Sequence, residues 1–444
     1  MINKFKIKDL SLQKILSNSM IVLSGNIGAN IFGLISVSLF THSVGAEAFG
    51  YYILFFTFIE IIDKIFNFQT SQAFMKFASD FQAKDEHYNV MMLLKYSFFV
   101  DFISLLFAYL ITLYSIDIFM SFFTIPIEYT NLIIIMATST LFKVSEISSG
   151  IFRLFDEFKI QSKILVYISI LKVILFGIIV LIDPFFDNFI YATVFAQFIS
   201  FVMKIIISKK ILNKNNYLVQ DIIGCKIDHS LLKKLKIMHF LMYKNFSVAI
   251  RMVSRQLDVI ILGKLLGAEV VAIYKIAKDV TGLVSKVTDP IYQAIYPEFA
   301  KLLANNQNKK AQKVALKISF FAGLSGLFSY TIFIIIGKWF IVMMFGDPFL
   351  SSYGVALVYY IAILISIIGL PLVPLMDSSG LVRYTFTNQL YATILYILII
   401  YPLINLYGMY GAAIAYVVYY AFWSLLALNR INKNNLKLNK KGIK

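Results

Sequence analysis

Residues 266–289 read LGAEVVAIYKIAKDVTGLVSKVTD, an apolar stretch that carries Lys275, Lys278 and Lys286 at helical spacing. Each Lys or Arg at the centre of a membrane helix costs about 2.5–3.5 kcal/mol on insertion scales, so hydropathy alone argues against a span here. The stretch has a counterpart, however. Leu266-Gly267-Ala268-Glu269 matches Val44-Gly45-Ala46-Glu47 at an offset of 222 residues, half of the 444-residue chain. The same ungapped offset maps Tyr52 onto Tyr274, Lys64 onto Lys286 and Phe77-Ala78 onto Phe299-Ala300. Because the run at 48–72 is plainly apolar, its partner at 271–297 is expected to cross the membrane despite its lysines.

The composition agrees with a membrane class. Of the residues, 59% are apolar and 15% charged, and mean hydropathy is +0.78; soluble domains do not look like this. Runs of about 20 apolar residues, the length that spans a bilayer core, lie near 15–40, 48–72, 93–115, 127–149, 162–182, 188–208, 245–266, 271–297, 314–337, 353–376, 387–405 and 409–429. The expected fold is therefore an all-α polytopic membrane protein of about twelve helices in two six-helix bundles, related by a pseudo-twofold axis along the membrane normal. Its parts are an N-terminal bundle (1–208), a Lys- and Asn-rich cytoplasmic linker (209–244) and a C-terminal bundle (245–444) with a basic cytoplasmic tail. Ala46-Glu47-Ala48 superficially resembles a leader cleavage site, but the preceding run is too long and the tripeptide region recurs, so it reads as structure.

Basic residues collect in alternate loops. The amino end (Lys4, Lys6, Lys8, Lys14), the 76–95, 143–163, 204–244 and 298–317 loops and the tail after Arg430 are basic. Segments 41–50, 115–128, 183–190 and 405–408 hold no Lys or Arg, and only Lys264 and Lys338 fall on that side. Excess positive charge stays cytoplasmic, which places both termini inside. This bias, together with anionic lipid headgroups, accounts for most of the net charge of +17 without a nucleic-acid partner. The single cysteine, Cys225, falls in the linker and has no partner for an internal disulfide.

Polar stripes then mark three helices. Arg251, Arg255 and Asp258 share a face of the seventh span; Lys275, Lys278, Gly282, Lys286 and Asp289 run along the eighth; Glu60, Asp63, Lys64 and Asn67 do so on the second. Intramembrane charges of this kind line a watery path or an anion site, or else pair with acids such as Asp258, Asp279, Asp289, Glu60 and Asp63 to hold helices together. Basic residues outnumber acidic ones on the seventh and eighth spans, so uncompensated positive charge is expected there. Asp101 and Lys172 stand singly in spans three and five and read as paired or snorkelling residues. Pro371 and Pro374 are expected to break the tenth span, and Pro290 and Pro297 to bend the eighth. The four His have no metal-ligand spacing, and no phosphate loop, paired cysteines or nucleophile motif appears. A catalytic role, a cofactor and a built-in ATPase are accordingly not expected.

Several motifs carry a family likeness: the Ser24-Gly25-Asn26 opening of the first helix, the Gly45-Ala46-Glu47-Ala48-Phe49-Gly50-Tyr51-Tyr52 turn, and Phe66-Asn67-Phe68-Gln69-Thr70-Ser71-Gln72-Ala73 closing the second helix. With twelve spans in two halves, the chain resembles a Wzx-type polysaccharide or O-antigen flippase of the multidrug/oligosaccharidyl-lipid/polysaccharide (MOP) exporter superfamily. That resemblance implies a MATE-like fold that moves undecaprenyl-diphosphate-linked oligosaccharides across the inner or plasma membrane by alternating access. It also implies that cavity cations meet the diphosphate, a role falling to Lys64, Arg251, Arg255, Lys275, Lys278 and Lys286. Asn26, Asn30, Asn67, Gln69, Gln72 and Gln256 would line the glycan path, and Glu60, Asp63, Asp258 and Asp289 are candidate acids for coupling to H+, Na+ or membrane potential. Helix one carries no charge beside Asn26 and Asn30, a departure from some relatives. Expected partners are the lipid-linked oligosaccharide, anionic lipids, and the polysaccharide polymerase with its chain-length machinery. Rival expectations are a peptidoglycan lipid-precursor flippase, a MATE-like multidrug exporter, which would favour an acidic cavity, and a membrane polymerase or ligase, which would carry a large outer loop.

Overall fold

The computed structural model describes the backbone of residues 10–286, 289–305 and 307–441, with side chains described there except at 10–19, 251, 253–254, 285–286, 289–294, 297, 382 and 432–441. The chain forms two compact units, Met1–Gln256 and Leu257–Lys444.

In the first unit, α1 (Leu10–Phe66) holds two spans that meet at Gly45, whose φ of 80° and ψ of −177° turn the chain. Only glycine adopts that conformation without strain, which is why the Gly-Ala-Glu motif sits there. The second span was expected to run to residue 72, but it stops at Phe66, and α2 (Ser71–Gln82) restarts after a break. Its Ala73, Phe74, Phe77, Ala78 and Phe81 form one buried face, the spacing of an amphipathic helix. Next come α3 (His87–Phe123), α4 (Thr130–Phe142), a 3-10 turn at Lys143–Glu146, α5 (Ile147–Leu154), α6 (Phe158–Ile182) and α7 (Phe186–Lys214). Near Gly45 the packing is aromatic, with Phe40 4.7 Å from Phe189 and Phe176 4.9 Å from Phe189 between ring centres, distances at which ring pairs add to simple burial.

The 209–244 segment is not a free linker. It contains the end of α7, then α8 (Val219–Gly224) and α9 (His229–Lys234), and leads into α10 (Ile237–Leu266). Tyr217, Ile222, Cys225, Leu232, Ile237 and Leu241 are buried in the same core as Phe74, Phe77 and Phe152. Polar contacts fasten it further: Lys95 Nζ donates to the carbonyls of Ile223 (2.6 Å) and Cys225 (2.8 Å), and His87 Nδ1 lies 2.9 Å from the Tyr217 hydroxyl. The sequence showed charge here; the structure shows apolar anchors between the charges. Cys225 is buried, and burial pushes its thiol pKa up, so its reactivity reports this packing rather than membrane sidedness.

The second unit takes the end of α10, then α11 (Ala268–Lys286), α12 (Asp289–Ala304), α13 (Asn308–Phe345), α14 (Ser352–Ile368), α15 (Leu372–Ser378), α16 (Val382–Tyr407) and α17 (Met409–Lys441). Gly267, at the repeat position of Gly45, has φ of 84°. The tenth span breaks between Ile368 and Leu372, at Pro371 as expected. Among the described residues, nine helices are long and apolar enough to cross a membrane. One of them, Met20–Gln82, contains both spans that meet at Gly45. The polar-striped α10 and α11 fall outside the nine.

Candidate functional site

The second-span stripe folds around one carboxylate. Asp63 is fully buried and receives Lys143 Nζ at 2.8 Å, with Lys64 Nζ 3.6 Å from the same oxygen. Asn67 Nδ2 donates to its other oxygen at 3.1 Å. Lys143 stands in the 3-10 turn between α4 and α5, where it had counted only as a loop charge. A buried carboxylate needs such partners, because an unpaired one costs several kcal/mol.

Asn67 was expected along a glycan path; the fold uses it instead. Its Oδ1 accepts the Gln69 N–H at 3.0 Å and its carbonyl accepts Asn245 Nδ2 from α10 at 2.8 Å. Across the break, Asp101 of α3 accepts both the Thr70 N–H (2.9 Å) and the Thr70 hydroxyl (2.8 Å). These bonds satisfy backbone groups that the interrupted helix leaves open. Asp101 is thus a brace, as its paired reading suggested. Gln69 has φ of 49° and a buried Nε2 without a hydrogen-bond partner. Of the remaining polar candidates, Asn26 and Gln72 are exposed and Asn30 is half-buried. Gln256 Nε2 donates to Glu60 at 3.1 Å. Among the described residues no Lys or Arg pairs with Glu60.

The second unit is built around Asp258. This buried carboxylate accepts Lys278 Nζ at 2.6 Å, the Tyr274 hydroxyl at 2.8 Å and the Val259 N–H at 2.9 Å. Lys278 also lies 3.4 Å from the Tyr416 hydroxyl and 5.1 Å from its ring centre, while Tyr359 and Tyr396 each pack 5.0 Å from Tyr416. One turn earlier, Lys275 pairs with Asp279 at i,i+4 spacing. Positive charge expected to be uncompensated on α11 is therefore matched at both described lysines. At these two lysines the structure shows the ion pairs with Asp258 and Asp279 that the sequence reading held as its alternative. Arg255 is exposed, and the side chains of Arg251, Lys286 and Asp289 lie outside the described residues.

Lys172 on α6 has a different setting. Its Nζ donates to the Tyr52 hydroxyl at 3.3 Å and lies 5.0 Å from the Phe176 ring and 5.6 Å from that of Tyr52. Among the described residues no carboxylate pairs with it.

Comparison with known proteins adds to this geometry. The family described as "Polysaccharide biosynthesis protein" matches residues 15–303. No curated protein matches the sequence. Among solved structures, an inward-facing multidrug resistance MATE family transporter of the MOP superfamily is similar at a TM-score of 0.77 and 13% identity, over 95% of this chain and 99% of that one. The Vibrio cholerae MATE transporter VcmN, in its bent form, is similar at a TM-score of 0.63 and 13% identity, over 96% and 98% of the two chains. A eukaryotic MATE transporter, AtDTX14, gives 0.63 and 14%, over 95% and 96%. At these identities the likeness establishes a MATE-like fold.

Proposed function

Because the chain belongs to the polysaccharide biosynthesis protein family, we propose that it is a flippase carrying diphosphate-linked oligosaccharide lipids across the bacterial inner or plasma membrane by alternating access, with both termini cytoplasmic. One observation carries the reading. The family match, residues 15–303, contains every helix on which intramembrane cations and acids form stripes.

The chemistry of the stripes supports an anionic substrate. A lipid diphosphate must leave the headgroup region, and fixed cations in a low-dielectric setting replace its lost hydration. Lys64 is suited to this: it is the looser partner of Asp63, which keeps Lys143 when Lys64 turns away. Lys275 is partly exposed and Arg255 is exposed. Arg251 and Lys286 join them from the sequence pattern. Lys278, held on the buried Asp258, supports the fold and contacts phosphate only if that pair opens. For energy coupling, Glu60 leads the acids, since Asp63 and Asp258 already hold lysines.

A multidrug exporter of the same fold is the second reading, favoured by the structural likeness to a multidrug resistance transporter. Asp63, Asp258 and Asp279 already hold lysines, which leaves Glu60 as the carboxylate of the described stripes that an organic cation could meet. A peptidoglycan-precursor flippase shares the diphosphate and is separated by the glycan; a polymerase or ligase is disfavoured by the likeness of the fold to MATE transporters. Reconstitution decides among them. Purified protein in proteoliposomes should move a fluorescent polyprenyl-diphosphate oligosaccharide, and Lys64→Glu should damage this more than Lys64→Gln. Transport of organic cations with no movement of the lipid-linked sugar would overturn the proposal, as would peptide-bearing precursors moving in preference.

A further inference from the structure

Within the first unit, away from the polar stripes, lies a slot of about 570 Å³ between α3, α5, α7 and α8. Its walls are carbon, with Phe98, Phe99, Ile151, Ile205, Leu212 and Ile222 among them. Two lysines, Lys95 and Lys209, complete the lining. Lys209 is exposed, and among the described residues no carboxylate pairs with it. Lys95 spends two N–H groups on the carbonyls of Ile223 and Cys225; an ammonium has three, so one remains. Ser208, also in the wall, buries a hydroxyl that has no hydrogen-bond partner. Around the slot Phe98, Phe99 and Ile223 are 44%, 54% and 68% exposed, apolar surface that suits a bilayer rather than water.

We propose that this slot binds one acyl chain of an anionic phospholipid. The chain lies along the carbon walls, the Ser208 hydroxyl donates to the ester carbonyl, and the phosphate meets Lys209 and the third N–H of Lys95. Each group answers a feature the fold leaves unmet. Carbon walls exclude a sugar or a headgroup, while two cations select a negative phosphate. The volume accommodates a fatty acyl chain but not a whole long-chain polyisoprenoid, which separates this lipid from the transported one. Bound there, the lipid would clamp the folded segment that Lys95 already fastens to the bundle. The inference stands whether or not the flippase reading does.

The test uses full-length protein in lipid nanodiscs and phosphatidylglycerol carrying a photoactivatable group on its acyl chain, with the same chain on phosphatidylcholine as control. Labelling should concentrate at Phe98, Phe99 and Ile205 with the anionic lipid. Lys209→Glu should lower it about fivefold or more, the worth of one cation beside an anionic headgroup, and Lys209→Arg should keep it. Equal labelling by both lipids, labelling spread evenly around the bundle as for annular lipid, or labelling only by a polyprenyl phosphate probe would each overturn the proposal.

Discussion

Tyr52 and Tyr274 occupy the same place in the repeat, seven residues after the left-handed glycines Gly45 and Gly267, and each has a lysine ammonium beside it. The lysines come from different places. In the second unit Lys278 is one turn along the same helix, and Asp258 cancels its charge. In the first unit Lys172 arrives from α6 and, among the described residues, meets a hydroxyl and two rings but no carboxylate. The position equivalent to Asp258 is Ser36, whose hydroxyl bonds back to the Phe32 carbonyl at 3.0 Å; the position equivalent to Lys278 is Phe56. At these two tyrosines the repeat has kept backbone and ring while the charges beside them have diverged. Glycine φ is dictated by local geometry, whereas an ion pair is retained only as a unit, since either half alone is costly.

The largest effect should come from splitting the pair. Asp258→Ala leaves the half-buried Lys278 without its carboxylate and the Tyr274 hydroxyl without its acceptor, and a loss of about 3–5 kcal/mol is expected. Thermal unfolding in detergent and the yield of folded protein measure it. Replacing both partners with apolar residues, Asp258→Leu with Lys278→Met, should restore most of the loss, because an apolar pair needs no solvation. If the double variant is as unstable as the single one, the pair holds more than its own charges. Asp63→Ala in the first unit should cost at most as much, since Lys64 and Lys143, 22% and 25% exposed, are only slightly more open than Lys278 at 19%.

What the sequence revealed follows the range of each interaction. Gly45 and Gly267 were legible because a turn motif is local and recurs, and the recurrence also marked α11 as a helix opening after the turn. Lys275 with Asp279 was legible as an i,i+4 pair. The Lys143 partnership with Asp63 was not: the residues are 80 apart, and Lys143 looked like an ordinary loop charge. Asp101 on Thr70 was hidden the same way, 31 residues off. The fold of 209–244 was missed because α8 and α9 have six residues each, too few for apolar periodicity to show.

A sharper probe of the repeat itself is the pair Gly45→Ala and Gly267→Ala. An added Cβ at either glycine meets nothing within 4 Å, so the cost is the backbone conformation alone, about 1–3 kcal/mol. The two variants should lose nearly the same stability, read as matched shifts in unfolding midpoint. A loss at one position several times that at the other would mean that the turns do different work in the two units.

The smallest change in stability is expected where charge is unmatched. Lys172→Met removes a hydroxyl contact and ring contacts worth about 0.5–1 kcal/mol at a partly exposed site, and it also removes the burden of a cation without a counterion. The two effects oppose, so the unfolding midpoint should hardly move. Tyr52→Phe, which deletes only the 3.3 Å hydrogen bond, should move it equally little. Transport distinguishes the units. If the first unit keeps an unmatched cation for an anionic substrate, Lys172→Met should cut movement of the lipid-linked sugar while Lys172→Arg preserves it, both at normal protein abundance. Full transport by a well-folded Lys172→Met variant would show that this cation serves neither stability nor substrate, and the divergence of charge between the two tyrosine sites would then have no functional weight on the N-terminal side.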